Sequence, residues 1–213
     1  MSKANKEPSP DARARILEAS TRLFAEKGLH GTTTREIASA ADVNVSLISY
    51  YFDGKEALYT TLIRQFAIQI EQEVLANVKS VGDTITRESY SMAIETMLTN
   101  MVDAHLKHPD MKRLFSNEMN SGLEHMKEIF EESFGRILSN ILEFYKRAQK
   151  AGVIRKDLDP LFFITLVSRS VDAYIMCSAC NIHMTQETLR LPKDRDAIIY
   201  QLKTIFLQGV LTS

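Results

Sequence analysis

The sequence predicts an all-α chain of about nine helices, in which a short three-helix segment carrying a helix-turn-helix precedes a larger helical bundle. Three observations lead there. Apolar residues recur at helical spacing in almost every stretch. Residues 13–62 contain a succession of helix caps and tight turns, each with a local explanation. The apolar fraction is 45% of 213 residues, enough to bury a real core in one large or two small domains.

The first helix, ending at about Lys27, sets Ile16, Leu17, Leu23 and Phe24 at i, i+1, i+7 and i+8, with Ser20 in the i+4 slot. Gly28 follows, where a left-handed cap needs a residue without Cβ, and Leu29-His30-Gly31 make a tight connection. Thr33-Thr34-Arg35-Glu36 has the pattern of a capping box: the Thr33 hydroxyl accepts from the Glu36 amide while Glu36 reaches back. Ile37, Ala38 and Ala41 give this second helix its buried side. Asp42 and Val43 turn the chain. Asn44 is a strong N-cap, so a third helix is expected over residues 45–52, with Val45, Ile48 and Phe52 facing inward. Ser46, Leu47, Ser49, Tyr50 and Tyr51 are left to point outward or sideways. Asp53-Gly54 breaks that helix. Lys55-Glu56 then open a long connecting helix over residues 55–77, with Leu58, Leu62, Phe66, Ile70 and Val74 at i+4 steps.

Beyond residue 78 the chain reads helical throughout. Helices are expected over residues 90–107, with Ile94, Met97, Leu98, Met101, Val102 and His105 on one broad side, and over residues 109–120, opened by Pro109. A long helix over 123–151 ends at Gly152. Asp159-Pro160 caps a helix over 161–183, and a polar loop leads to the last helix, 196–211. The helix over 161–183 is apolar on most sides and therefore needs a second surface to bury it.

Charge and composition exclude several classes. Residues 1–60 hold eight basic and eight acidic side chains, and the chain is formally −1, so a general basic footprint for nucleic acid is absent. Positive charge is local: Lys3, Lys6, Arg13 and Arg15 at the leading end, Arg35 at the second helix, Lys55 at the fourth. The longest apolar run, near residues 161–167, is far too short to span a membrane. Residues 1–10 are polar and proline-containing, without the apolar core of an export signal, and read as a disordered arm; a cytoplasmic location is expected. No His-Glu-x-x-His, Gly-rich phosphate loop or Gly-x-Ser-x-Gly is present, so neither catalysis nor a cofactor is expected. Cys177, Cys180 and His183 stand at i, i+3 and i+6, a spacing that could hold a metal or a thiol switch. Cysteines inside an apolar helix are more often small core residues, and no metal ligand is assigned.

The third helix carries the functional signal. Two tyrosines beside two serines on a helix of about eight residues suit a helix lying in a DNA major groove, where hydroxyls reach phosphates and base edges and rings touch thymine methyls. The segments LFAEKG, TTTREIA, VNVSLISYYF and KEAL together resemble the DNA-binding domain of the TetR family of bacterial transcriptional regulators. Two departures stand out. Asp42 occupies a turn position where the family usually has glycine, and Val45-Ser46-Leu47 replaces a more usual Lys-Gly-Thr-like string.

The resemblance implies a DNA-binding domain over 11–54 and a ligand-binding and dimerisation domain over 55–213. Its last two helices would pair with those of a second subunit, with Ile198, Leu202, Ile205 and Phe206 as the seam. By motif position Thr34, Tyr51 and Lys55 would contact phosphates. Asn44, Ser46, Leu47, Ser49 and Tyr50 would lie at or near base edges, Val45 would belong to the same DNA-binding segment, and Arg35 would add positive charge. Met97, Met101, His105, Phe134 and Tyr174 are candidate lining of an effector cavity, with Arg169 as its polar anchor; a pair between Arg169 and Asp172 is the plainer reading of that charge. The function expected is a homodimeric regulator that represses from a palindromic double-stranded DNA operator and is released when a small, largely apolar molecule binds. Coupling would run through the helix over 55–77. The competing class is a helical small-molecule-binding or dimerisation module that never touches DNA.

Overall fold

The computed structural model describes residues 9–179 and 195–211, without the side chains of 175–179. Residues 1–8 of the predicted arm, the Cys177 side chain, Cys180 and His183 lie outside the described residues. The helices are α1 (Pro10–Gly31), α2 (Thr34–Ala40), α3 (Ser46–Phe52), α4 (Lys55–Ser80), α5 (Arg87–Lys107), α6 (Pro109–Asn120), α7 (Lys127–Ile129), α8 (Gly135–Lys150), α9 (Pro160–Ala179) and α10 (Arg195–Phe206). A π-helical turn, Phe130–Phe134, joins α7 to α8. Counted as one run, residues 127–150 bring the described residues to nine helical segments. The fold is all-α, and its one extended pairing among the described residues is an isolated bridge between Ile154 and Leu211.

Two compact units divide the chain. The first joins residues up to Ile70 with His108–Gly135; the second joins Glu71–Lys107 with the residues from Arg136 onward. Packing therefore divides the chain elsewhere than the sequence division at residues 54 and 55. The reason lies in the core of the first unit. Ile16 and Phe24 of α1, Ile37 of α2, Ile48 of α3 and Leu58 and Ile63 of α4 share it with Leu114 of α6, Met126 and Ile129. Each fully buried side chain of this size contributes roughly 1.5–3 kcal/mol. A polar hub adds to them: the Tyr59 hydroxyl donates to Glu118 Oε1, and His125 gives its backbone N–H to Glu118 Oε2. Burial, and then the Glu118 carboxylate, push the Tyr59 phenol well above its ordinary pKa.

The second unit is built around Tyr90, Leu98 and Val102 of α5, Phe144 and Tyr145 of α8, Phe163, Val167 and Val171 of α9, and Ile198 and Leu202 of α10. Tyr90 stacks on Phe144 with ring centroids 5.7 Å apart, and Phe163 meets Phe206 edge-on at 5.9 Å. The hydroxyls of Tyr90 and Tyr145 are buried and lack a hydrogen-bond partner among the described residues. Burial raises both phenols.

Two boundaries shift for backbone reasons. The helix expected from residue 123 starts at Lys127, because Gly122 (φ 83°) and Leu123 (φ 65°) both adopt left-handed backbone. The last helix ends at Phe206 rather than at residue 211. There the chain turns back so that Arg155 N–H donates to Val210 O at 3.0 Å.

The expected seam on α10 is largely spent inside the chain. Ile198, Leu202 and Phe206 are buried in the core of the second unit, where α10 packs on α5, while Ile205 is 60% exposed. A helix that buries one stripe internally must present a different stripe to any partner. Leu202→Ala is accordingly expected to destabilise the folded chain by about 2–5 kcal/mol in denaturant unfolding, the cost of a core truncation.

Candidate nucleic-acid interface

The geometry of α2 and α3 follows from how α1 ends. Gly28 takes φ 70° and interrupts α1 in its last turns. The freed carbonyls find local donors: Thr32, fully buried, gives its hydroxyl to Leu23 O and Gly28 O. The Lys55 ammonium donates to Leu29 O at 2.8 Å and Thr32 O at 2.9 Å. Two of its three N–H donors are thus committed before any ligand arrives.

The start of α2 shows the full capping box. Thr33 Oγ1 accepts the Glu36 N–H, and Glu36 Oε2 accepts the Thr33 N–H at 2.8 Å. Lys27 binds the other Glu36 oxygen at 2.7 Å. The hydrogen bond from Lys27, followed by those from Thr33, lowers the Glu36 pKa to about 2. In the turn that follows, Asp42 adopts φ 52°, the left-handed conformation that glycine most readily supplies. The Val43 N–H closes it onto Ala38 O.

Asn44 Oδ1 accepts the N–H of Ser46 at 3.0 Å and the Ser46 hydroxyl at 2.9 Å, so α3 begins at Ser46 with Asn44 as its side-chain cap. Two orientations differ from those the spacing predicts. Val45, expected inward, is 43% exposed, and Leu47, expected outward, is 6% exposed within the core. With the helix starting at Ser46, the inner face is Leu47, Ile48, Tyr51 and Phe52, two i,i+4 pairs side by side. The outer face is Val45, Ser46, Ser49 and Tyr50. Leu47 is thereby removed from the set that can reach base edges.

Tyr50 is 67% exposed and meets Tyr51 edge-on at 5.0 Å. Tyr51 is half-buried and donates its hydroxyl to Ser9 O at 3.0 Å, which ties the start of α1 to α3. Asp53, at φ 60°, terminates the helix. Arg35 and Thr34 sit in the first turn of α2, Arg35 exposed and Thr34 half-buried. Much of the other positive charge is used internally: Arg15 donates to Ala41 O and Asp11, Lys27 binds Glu36, and the Arg13 guanidinium lies 5.0 Å from the centre of the Phe52 ring.

The residues expected around an effector separate. Met97, Met101 and Tyr174 pack against the core of the second unit, and His105 is buried there. Phe134 instead packs against the core of the first unit, where its ring lies 4.8 Å from Phe115 and 5.3 Å from Phe130. Arg169 is exposed, and Asp172 contacts His105 Nε2, while His105 Nδ1 lies 2.7 Å from Met101 O. The pairing of Asp172 with a residue far away in sequence has no local signal, and neither has the Tyr59–Glu118–His125 hub.

A capped α2, a left-handed turn and a short α3 with one face buried and the other exposed define a helix-turn-helix DNA-binding protein. The family profile described as "Bacterial regulatory proteins, tetR family" matches residues 16–62, and that described as "Tetracyclin repressor-like, C-terminal domain" matches residues 91–204. The chain belongs to the TetR family of bacterial regulators.

Among similar proteins, the transcriptional regulator RutR of Escherichia coli O157:H7 is 28% identical over 201 residues, covering 92% of this chain and 88% of that protein. The repressor KstR2 of Rhodococcus jostii strain RHA1 is 26% identical over 151 residues, 69% and 70% of the two chains. The solved structure of the ketosteroid regulator KstR2 of Mycobacterium tuberculosis superposes with TM-score 0.70 at 20% identity over the whole of both chains. FadR of Bacillus subtilis in complex with stearoyl-CoA does so at 0.65 and 17%, covering 92% and 98%. The protein is a ligand-responsive, DNA-binding transcriptional regulator, and the similar proteins named above are regulators as well. Among the described residues no helix is long and apolar enough to cross a membrane.

Because the Glu36 pKa is depressed in the folded chain, its stabilisation is complete above the ordinary carboxylate range and is lost as pH falls toward about 2. Glu36→Gln should flatten the dependence of stability on pH in that window, read by acid titration of helicity. Tyr50→Ala should leave stability within about 0.5 kcal/mol of the parent yet reduce DNA affinity. Lys55→Ala should instead lose about 1–3 kcal/mol, since Thr32 O loses the ammonium and Leu29 O keeps only the longer bond from the Thr32 N–H; equal stability of both variants would show that Lys55 does not cap α1.

Proposed function

We propose that the protein is a repressor that acts in the cytoplasm as a homodimer on a palindromic operator and leaves it when a small, largely apolar molecule binds the second unit. The observation that carries this reading is the division of α3. Leu47, Ile48 and Phe52 fix the helix from beneath, while Asn44, Val45, Ser46, Ser49 and Tyr50 stand free of the core for base edges. Thr34, Arg35 and the remaining Lys55 donor serve phosphates, whereas the Tyr51 hydroxyl proton is already committed to Ser9 O. Two such helices reach successive major grooves only at a fixed separation, so assembly and spacing decide affinity.

For the partner subunit, the surface that supports pairing is the outer side of α9 and α10. Leu161, Phe162 and Leu166 on α9 and Tyr200 and Ile205 on α10 are exposed, Phe162 at 68%. For the effector, Met97, Met101 and Tyr174 supply adaptable apolar surface, and the His105–Asp172 pair replaces Arg169 as the polar anchor. The names of the two similar structures, a ketosteroid regulator and a stearoyl-CoA complex, agree with an apolar ligand. α4 contributes residues to both units and is the element through which effector binding would move α3.

Gel-shift against the DNA upstream of the protein's own gene tests the reading: a discrete complex is expected from the parent and a weakened one from Tyr50→Ala. The double variant Leu166→Glu, Ile205→Glu should sediment as a monomer, keep its helicity and lose operator binding together; a dimer that persists would move the interface elsewhere. Thermal-shift screening of apolar metabolites with one polar group should find compounds that lower operator affinity by roughly 5–150-fold. His105→Phe should abolish that response, and an unchanged response would remove the pair from the effector site.

A further inference from the structure

His30, Glu124 and His125 are distant in sequence and meet in the first unit. One potential donor atom from each lies within 4.8 Å of the others. His30 stands in the last turn of α1, beyond the interruption at Gly28, and Glu124 and His125 lie in the loop between α6 and α7. The two imidazole rings approach edge-on at 5.2 Å. His30 and Glu124 are exposed and His125 is half-buried, so the group opens to solvent on one side. Behind it is Tyr59, whose ring lies 5.9 Å from His125.

A second observation prepares His125 as a ligand. Glu118 is buried, and its Oε1, which also accepts from the Tyr59 hydroxyl, lies 3.2 Å from His125 Nδ1. A carboxylate accepts there, so the proton resides on Nδ1 and the lone pair on Nε2. Carboxylate–imidazole pairing of this kind fixes the tautomer and ring orientation of histidines that bind metals. The loop itself is held from beneath. Leu123 N–H donates to Glu118 O at 2.8 Å, His125 N–H donates to Glu118 Oε2, and the left-handed Gly122 and Leu123 direct Glu124 and His125 toward α1.

We propose that His30, Glu124 and His125 bind a divalent transition-metal ion of the zinc class through two imidazole nitrogens and one carboxylate oxygen. Two imidazoles favour zinc, nickel or cobalt over magnesium and calcium, which prefer oxygen throughout. Three protein ligands leave a further position for water. Such an ion links the α6–α7 loop to the turn that leads into α2. It does so beside Leu29, whose carbonyl holds Lys55. Its occupancy therefore restrains the segment that positions the helix-turn-helix.

The test uses the untagged full-length chain, titrated with zinc sulfate by calorimetry and followed by thermal unfolding, beside two double variants. These are His30→Gln, Glu124→Gln, at two exposed positions, and Cys177→Ser, Cys180→Ser. One ion per chain is expected for the parent and the cysteine variant, with a raised melting temperature and slower hydrogen exchange in residues 28–33 and 122–125. The His30, Glu124 variant should bind at least about tenfold more weakly and lose both effects. Magnesium at the same concentration should leave the melting temperature unchanged. Zinc affinity undiminished in the His30, Glu124 variant, affinity lost in the cysteine variant, or no binding by the parent at micromolar zinc would each overturn the proposal.

Discussion

The break in α1 at Gly28 sets the constraint on which the first unit depends. Ending a helix releases carbonyls that must find donors, and a buried carbonyl left alone costs free energy comparable to a lost hydrogen bond. Here the donors come from chain that is yet to be placed. The Thr32 hydroxyl takes Leu23 O and Gly28 O, and Lys55 takes Leu29 O and Thr32 O. The first fixes where α2 can start, one residue before its Thr33 cap. The second fixes where α4 starts, just after α3 has ended at Asp53. The helix-turn-helix is thus clamped at both ends by the satisfaction of one helix terminus, and α3 is short because both boundaries are already assigned.

Polar pairing plays a comparable part where α6 joins that unit. Leu114, Met126 and Ile129 supply the apolar contact, and Glu118 supplies direction. A buried carboxylate is tolerated only when its lone pairs are used. Tyr59 from α4 and two groups of His125 use those of Glu118. The same group that makes the burial tolerable orients the histidine ring, so an internal requirement of packing leaves a prepared side chain at the surface. In the second unit His105 plays the equivalent part, spanning Met101 O and Asp172.

Apolar surface also divides by function between the units. α3 buries two adjacent i,i+4 pairs and exposes small polar groups with one tyrosine, a surface suited to a polar, hydrated groove. α9 and α10 bury one stripe each in their own unit and still expose leucine, phenylalanine, isoleucine and tyrosine. The exposed side chains of α9 and α10 are thus mainly apolar, whereas those of α3 are mainly polar.

By itself the sequence determined the helical class, the capping box at Thr33 and Glu36, the Asn44 cap, the left-handed turn at Asp42 and most core positions at helical spacing. All of these are local: a cap, a turn or a stripe is decided by residues within four positions of one another. The tertiary structure decided what depends on residues far apart. It assigned Lys55 to the end of α1, turned Leu47 in and Val45 out, and paired Asp172 with His105 rather than Arg169. It also set Phe134 against the core of the first unit and consumed Ile198, Leu202 and Phe206 within a single chain. In each case periodicity supplied an apolar or charged side chain of the right kind, but the partner was chosen by packing between helices, and no local pattern records which of two adjacent stripes faces its own core.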